Sequence, residues 1–204
     1  MIRVFKHLTH QWMKCPGGFF SALLLSAMFT GLFTATATAM DKNIQKAPVQ
    51  NQSDEIDWQP LSTATATWMW LDIYEASLFA TVESLPKDFL SDEVPLKLSL
   101  CYLKPISSDI FIEGASEVLS KELSPSLRAE VDRLHQSYQA VEPGDCYALE
   151  YTVDQGTALK LNGKPIFNSN QMGFKAVYFG IWLGDHPLSE ALKTRLLATQ
   201  STSK

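Results

Sequence analysis

The chain has 204 residues, a formal net charge of −5 and 46% hydrophobic residues, which suits one domain with a sizeable core. Its acidic balance argues against a nucleic-acid partner and against electrostatic adhesion to anionic lipid. The histidines, cysteines and glycines follow no spacing typical of a metal site, a C-x-x-C redox site or a phosphate-binding loop. We therefore predict no metal, no cofactor and no catalytic motif.

Residues 1–39 have the pattern of a signal peptide. A basic start is followed by an apolar run at 19–33 and by the small-residue site Ala37-Thr38-Ala39. The run is shorter than the roughly 20 residues of a membrane-spanning helix, so we predict cleavage after Ala39, with an uncleaved anchor as the alternative. Cleavage removes three of the 17 Lys and Arg, leaves 22 Asp and Glu, and gives a net charge of −8. The predicted location is periplasmic or secreted, with no membrane span after cleavage.

Residues 40–60 are polar and are predicted to form a linker to a single domain at 61–200. Apolar and polar residues alternate over 63–83, and the aromatic and β-branched content is typical of strands. The length of this segment implies two strands or one long bent strand. Within it, the sequence Trp68-Met69-Trp70 either belongs to the core or lines an apolar ligand cleft.

The middle of the chain predicts a strand over 96–104, then two helices, from Ser107 or Ser108 to about Leu123 and from Ser124 onward. One face of that strand carries Leu96, Leu98, Leu100 and Tyr102. A meander of three strands follows, over 146–153, 157–161 and 164–167. Asn162-Gly163 is a strong hairpin signal because both residues tolerate positive φ.

The last segment predicts a buried strand over 177–183 that ends at Gly184, followed by a helix. Asp185 is predicted to cap this helix, and Pro187 fits its first turn. The fold class is therefore α+β, with a large antiparallel sheet and helices packed on one face.

Two pairs of residues leave alternatives open. Cys101 and Cys146 each lie in a predicted strand, and they either form a disulfide or are buried separately as small apolar residues. His135 and His186 lie beside acidic residues, but a half-buried helical side chain explains the first, and helix capping at Asp185 explains the second.

Four blocks, IYEASLFA, LSLCYLKPISSDIFIEGASEVL, EPGDCYALEYTVDQGTALKLNGK and FGIWLGDHPLSEALKTRLL, resemble the bacterial secreted branch of the chalcone isomerase-like family. The resemblance extends from about Trp68 to Leu197 and implies an open-faced sandwich. Catalytic members use an arginine, a threonine, a tyrosine and a lysine. By the resemblance, the arginine falls near Ala66, the threonine near Tyr74, the tyrosine at Phe111 and the lysine at Gly114, so none of the four residues is preserved.

The resemblance implies a non-catalytic protein that binds an apolar or amphipathic small molecule, lipid-like or fatty-acid-like, or an envelope protein partner. The predicted ligand-binding residues are Trp70, Tyr74, Tyr102 and Phe111. Two alternatives stay open, an intramolecular lyase of the chalcone isomerase type and an envelope assembly factor. An anion held in an apolar cleft needs a paired cation. The arginines after residue 39, Arg128, Arg133 and Arg195, all fall on predicted helices, which weakens both the isomerase and a fatty-carboxylate clamp.

Overall fold

The computed structural model describes residues 56–81 and 85–198. The predicted signal peptide and residues 40–55 of the predicted linker lie outside these residues. The described chain forms one six-stranded antiparallel sheet in which each strand pairs with the next along the chain. The strands are β1 (Gln59–Trp68), β2 (Leu71–Ala80), β3 (Leu96–Tyr102), β4 (Cys146–Thr152), β5 (Gly156–Leu161) and β6 (Lys164–Ser169).

The four helices are α1 (Ser108–Val118), α2 (Pro125–Ser137), α3 (Phe174–Leu183) and α4 (Glu190–Leu197). They pack on one face of the sheet, as predicted. Ser124 caps α2 as expected, because its hydroxyl accepts a hydrogen bond from the Leu127 N–H. Helix α1 was predicted to run to about Leu123, but it ends at Val118.

The two sheet faces differ in chemistry. Leu96, Leu98, Leu100 and Tyr102 of β3 are all buried under the helices, which confirms the predicted alternation. The other face carries polar groups instead. There the Glu150 carboxylate lies 3.1 Å from the Lys97 amine and 2.6 Å from the Lys160 amine.

The prediction of a strand over 177–183 is wrong, because Phe174–Leu183 forms the helix α3. Nearly every residue in it is apolar, so an alternating pattern and a helical pattern fit equally well. Phe174, Tyr178 and Ile181, at helical spacing, are buried, whereas Val177 is only partly buried. A helix that packs on a sheet explains this burial, and a strand does not.

The start of the last helix was also predicted wrongly. Helix α4 begins at Glu190, and its cap is Ser189, whose hydroxyl accepts the Leu192 N–H at 3.2 Å. Asp185 and His186 are exposed residues of the preceding turn. That turn is held by the Leu188 N–H, which donates to the Ile181 carbonyl at 2.8 Å.

The alternating segment near residue 70 forms two strands joined by a two-residue turn. Trp68 pairs with Leu71, and the turn residues Met69 and Trp70 have φ values of 44° and 61°. Gln59 and Pro60, which were placed in the predicted linker, belong to β1. The hairpin predicted at Asn162-Gly163 joins β5 and β6, and both of its turn residues have positive φ.

Cys101 and Cys146 form a disulfide between the neighbouring strands β3 and β4, with Cα atoms 4.1 Å apart. Their neighbours Leu100, Tyr102 and Tyr147 are buried under the helices. Because side chains alternate along a strand, the disulfide lies on the sheet face opposite the helices.

Reduction of this disulfide is expected to lower the free energy of unfolding by about 2 kcal/mol, because it restores conformational freedom to the unfolded chain. Urea unfolding with and without a thiol reductant measures the difference. The double variant Cys101→Ala with Cys146→Ala should show a similar loss and no further response to the reductant. Equal stability of the oxidised and reduced chains would contradict the expectation.

Candidate functional site: a tyrosine-lined cavity

A cavity of about 110 Å³ lies between the inner face of the sheet and the helices. Strands β1 to β5 contribute one part of its wall, and α1, α3 and the turn before α4 contribute the other. Most lining side chains are aliphatic or aromatic, including Leu100, Leu149, Leu159 and Ile181. The cavity is therefore an apolar site formed by the core itself.

Five of the six tyrosines line this cavity: Tyr74, Tyr102, Tyr138, Tyr147 and Tyr178. Tyr102 is central among the rings. Its centroid lies 5.6 Å from that of Tyr74, 5.3 Å from that of Phe111 and 6.2 Å from that of Tyr147. Tilted and edge-on contacts at these distances stabilise aromatic clusters, so the wall is a packed group of rings that also carries hydroxyls.

Four of the five hydroxyls are hydrogen bonded within the protein. Tyr138 and Tyr178 share a hydrogen bond of 2.8 Å, and the Tyr74 hydroxyl accepts the Trp182 indole N–H at 3.3 Å. The Tyr147 hydroxyl accepts the Gln139 N–H and donates to the Gln139 carbonyl. Among the described residues, the Tyr102 hydroxyl has no such partner, although Tyr102 is only 5% exposed. Its hydroxyl is therefore available to a bound molecule.

The tyrosines are uncharged near neutral pH. Burial raises the pKa of Tyr74 to about 12, against an opposing effect of the hydrogen bond from Trp182. Burial also raises the pKa values of Tyr102 and Tyr178 well above the usual value of 10, and neighbouring tyrosines add to both shifts. A phenolate in this cavity is strongly disfavoured.

Within residues 56–81 and 85–198, no Lys, Arg, His, Asp or Glu lines the cavity. The three arginines of the described residues bond elsewhere on the surface. Arg128 donates to the Ser120 carbonyl, Arg133 pairs with Glu130, and Arg195 donates to the Ala191 carbonyl of its own helix. The cavity therefore offers a hydrogen bond but no compensating charge for an ionised ligand.

His135 lies behind this wall, with its ring centroid 6.2 Å from those of Tyr138 and Tyr178. It is half-buried, in agreement with the structural role predicted for it, and burial lowers its pKa. No group of three or more histidines, cysteines or carboxylates in the described chain is placed to hold a metal ion. None of the described helices has the length and apolar character to cross a bilayer.

Residues 61–198 match the family model described as chalcone isomerase-like. The chain belongs to the chalcone isomerase-like family. Its fold is similar to that of a fatty-acid binding protein from Arabidopsis thaliana, with a TM-score of 0.54 and 10% sequence identity over 71% of this chain and 89% of the plant chain. At that identity the likeness concerns the fold alone. No curated protein sequence matches significantly.

The four positions assigned by resemblance to catalytic residues of chalcone isomerases all line the cavity. They are Ala66 on β1, Tyr74 on β2, and Phe111 and Gly114 on α1. These positions therefore lie at one site, and none of them carries an arginine or a lysine. Tyr74 has a hydroxyl, but Trp182 already donates a hydrogen bond to it.

Of the residues predicted to bind a ligand, Tyr74, Tyr102 and Phe111 line the cavity. Trp70 does not, because it occupies the turn between β1 and β2 with 86% of its side chain exposed. Trp68 and Trp182 are the tryptophans of the cavity wall. The turn position decides this, because Trp68 is the last residue of β1 whereas Trp70 lies in the turn and belongs to neither strand.

Tyr178 and Trp182 were not predicted from the sequence as cavity residues. They are four residues apart on the helix α3, and both face the cavity. The assignment of 177–183 as a strand placed them on the same side as Gly180 and gave no reason to connect them with Tyr102. Tyr138 was recognisable, because it continues the apolar spacing of α2 from Val131 and Leu134.

Proposed function

We propose that this chalcone isomerase-like protein is a non-catalytic binder of an uncharged apolar or amphipathic small molecule, held in the tyrosine-lined cavity. The observation that carries the proposal is the unpartnered hydroxyl of Tyr102 in a wall without charged side chains. Ligand sites in proteins usually combine such an apolar lining with a few polar groups that fix orientation. The proposed periplasmic or secreted location depends on residues 1–39, which lie outside the described chain.

The size of the cavity restricts the part of the ligand that it encloses. At about 110 Å³ it is somewhat smaller than an engineered cavity of roughly 150 Å³ that binds benzene. It therefore accommodates a ring-sized group or a short segment of an acyl chain. A longer chain requires the wall to open or its end to extend beyond the cavity.

The absence of a cation in the lining supports a neutral ligand over a carboxylate. An ionised carboxylate loses its hydration on burial, and no Lys or Arg of the described chain lines the cavity to compensate. A fatty alcohol donates and accepts hydrogen bonds without a charge, so its head group is compatible with the Tyr102 hydroxyl. Like the plant fatty-acid binding protein, this chain is proposed to bind an apolar chain. It differs in requiring an uncharged head group.

The proposal is tested by calorimetric titration and by Trp fluorescence, since Trp68 and Trp182 line the cavity. The ligands are a fatty alcohol and a fatty acid of equal chain length. The alcohol is expected to bind with an affinity independent of pH. The acid is expected to bind better as the pH falls through its carboxyl pKa of about 4 to 5, because only its protonated form is uncharged. Equal binding of both ligands at neutral pH would contradict a neutral site.

Tyr102→Phe is expected to weaken binding of the fatty alcohol about three- to tenfold, the contribution of one hydrogen bond. Stability should stay the same or rise, because the lost hydroxyl has no partner in the free protein. Tyr151→Phe is the matched control. Tyr151 is also buried, but it lies outside the cavity lining and its hydroxyl donates to the Asp92 carbonyl.

Ala115→Leu provides a second test, because it replaces a methyl group in the cavity wall by an isobutyl group. It is expected to abolish ligand binding by occupying the cavity. A Tyr102→Phe variant that binds like the wild type, together with an Ala115→Leu variant that still binds, would place the ligand elsewhere. Turnover of a chalcone above the spontaneous rate, abolished by Ala115→Leu, would favour the intramolecular lyase instead.

A further inference from the structure

The turn between β1 and β2 carries an unusual concentration of exposed apolar side chains. Met69 is 55% exposed, Trp70 86% and Leu71 37%. Leu103, 45% exposed, adjoins the same end of the sheet, because its N–H donates to the carbonyl of Ile73 on β2. We refer to Met69, Trp70, Leu71 and Leu103 as the apolar tip.

The backbone of this turn does not suit its residues. A two-residue turn with positive φ at both positions favours Asn-Gly, which adopts that conformation with little steric strain. Here the two positions are Met69 and Trp70, with φ values of 44° and 61°. Large side chains held in a left-handed conformation are uncommon, and such strain concentrates at functional sites. Folding alone gives no reason for Met-Trp at this turn.

The apolar tip is continuous with the cavity wall. Thr67 and Trp68 immediately before the turn, and Ile73 and Tyr74 shortly after it, line the cavity. A surface that contacts the tip is therefore next to the hairpin end through which an apolar ligand would pass. This relation links the tip to the proposed function, but contact at the tip does not depend on what the cavity holds.

We propose that the apolar tip inserts into the interfacial region of a lipid bilayer. Trp is enriched at membrane interfaces, where its ring is buried and its N–H stays near polar groups. The partner surface is zwitterionic and not anionic. Asp72 next to the tip and Asp145, whose carbonyl accepts the Tyr102 N–H, place two carboxylates at this end of the sheet against the one amine of Lys104, which follows Leu103. The acidic chain as a whole has the same effect.

The test is co-sedimentation of the full chain, as processed by the expressing cell, with phosphatidylcholine vesicles. The key variant is Met69→Asn with Trp70→Gly, which removes two tip side chains and supplies the residues that the turn favours. It is expected to bind vesicles about tenfold or more weakly than the wild type, because burial of large apolar side chains provides the affinity. Its melting temperature is expected to equal or exceed that of the wild type, so misfolding does not explain the loss.

The matched control is Met172→Ser. Met172 is 80% exposed, but it follows β6 at the opposite end of the sheet, so this variant should bind vesicles like the wild type. All variants share the same N-terminal segment, so differences between them report on the tip. Adding phosphatidylglycerol to the vesicles should not strengthen binding. Undiminished binding by the Asn-Gly variant would overturn the proposal. Concentration-dependent self-association through the tip, with no vesicle binding by the wild type, would also overturn it.

Discussion

Replacement of Lys175 by methionine is expected to lower the free energy of unfolding by about 3 kcal/mol, among the largest effects of any single substitution in this protein. Lys175 lies on α3 and is completely buried. Its amine donates to the carbonyls of Phe89, Ser91 and Val94 at 2.6, 2.5 and 2.6 Å. It therefore fastens the 85–95 segment to the helix.

The size of the effect follows from two opposing contributions. Each buried carbonyl left without a donor costs about 1–3 kcal/mol. Removal of a buried charge returns part of this, because the charged amine is itself unfavourable in the interior. Burial lowers the pKa of Lys175 to about 8, while the carboxylates of Asp92 and Asp88 raise it. The three carbonyls outweigh the relieved charge because all three lose the amine at once, and the Tyr151 hydroxyl, which donates to the Asp92 carbonyl, does not reach them.

Lys193→Met is the matched control. The Lys193 amine donates to one carbonyl, that of Gly184 at 2.7 Å, and the residue is only partly buried. We expect a loss of about 1 kcal/mol or less for this variant. Urea unfolding compares the two variants, and hydrogen exchange of residues 85–95 should rise selectively in Lys175→Met. Equal stability losses in both variants would mean that the hydrogen bonds from Lys175 to the three carbonyls do not hold residues 85–95 to the helix.

The second large effect is unfolding at alkaline pH. Burial raises the pKa of Tyr74 from 10 to about 12, and the pKa values of Tyr102, Tyr138 and Tyr178 rise as well. Between the unfolded-chain pKa of about 10 and the raised pKa values of the folded chain, the folded chain retains phenol protons that the unfolded chain releases. The free energy of unfolding therefore falls as the pH rises. The stability from this source is complete below pH 10 and is lost as the pH approaches 12.

Tyr74 alone should account for about 2 kcal/mol of this loss by pH 12, at 1.36 kcal/mol for each pH unit. The other cavity tyrosines act in the same direction. The ultraviolet absorbance of tyrosinate and the circular dichroism, followed together, measure the effect. Most ionisation should coincide with loss of structure. In denaturant the tyrosines should titrate near pH 10.

The Tyr74→Phe variant should lose less stability between pH 10 and 12 than the wild type. Gradual ionisation of all the tyrosines near pH 10 in a chain that stays folded would contradict the buried cluster. It would also weaken the proposed binding site, because it would mean that water reaches these hydroxyls freely.

Much of the sheet could be predicted from the sequence. Strand β3 alternates apolar and polar residues, and one face of that alternation is buried as expected. Asn162-Gly163 fixed the last hairpin because few residue pairs favour such a turn. These features are local, since each depends on the conformational preferences of neighbouring residues.

Helix α3 could not be predicted in this way, because its residues are buried by contacts that no local pattern records. Lys175 illustrates the difficulty. A lysine normally marks an exposed face, yet here three carbonyls of a distant loop allow its burial. Tyr178 and Trp182 depended on the same helix, so the part of the cavity wall that α3 supplies could not be predicted from the sequence.

The hairpin turn explains the remaining error at the site. The two turn positions hold Met69 and Trp70 in place of the Asn or Gly that usually marks a turn with positive φ. The position of the turn was therefore not predictable from the sequence. With the turn placed there, Trp68 joins the cavity and Trp70 leaves it. Tyr74, Tyr102 and Phe111 were unaffected because they lie beyond the turn.

The Cys101–Cys146 bridge determines which parts of the wall are able to yield. It cross-links the two central strands that supply Tyr102 and Tyr147, so the sheet side of the cavity is held by a covalent bond. The helices that cover the cavity have no such cross-link. Among the described residues, they are held to the sheet by packing and hydrogen bonds alone. A ligand longer than one ring therefore has to displace α1 or the β1–β2 hairpin, while the cross-linked strands β3 and β4 keep their register.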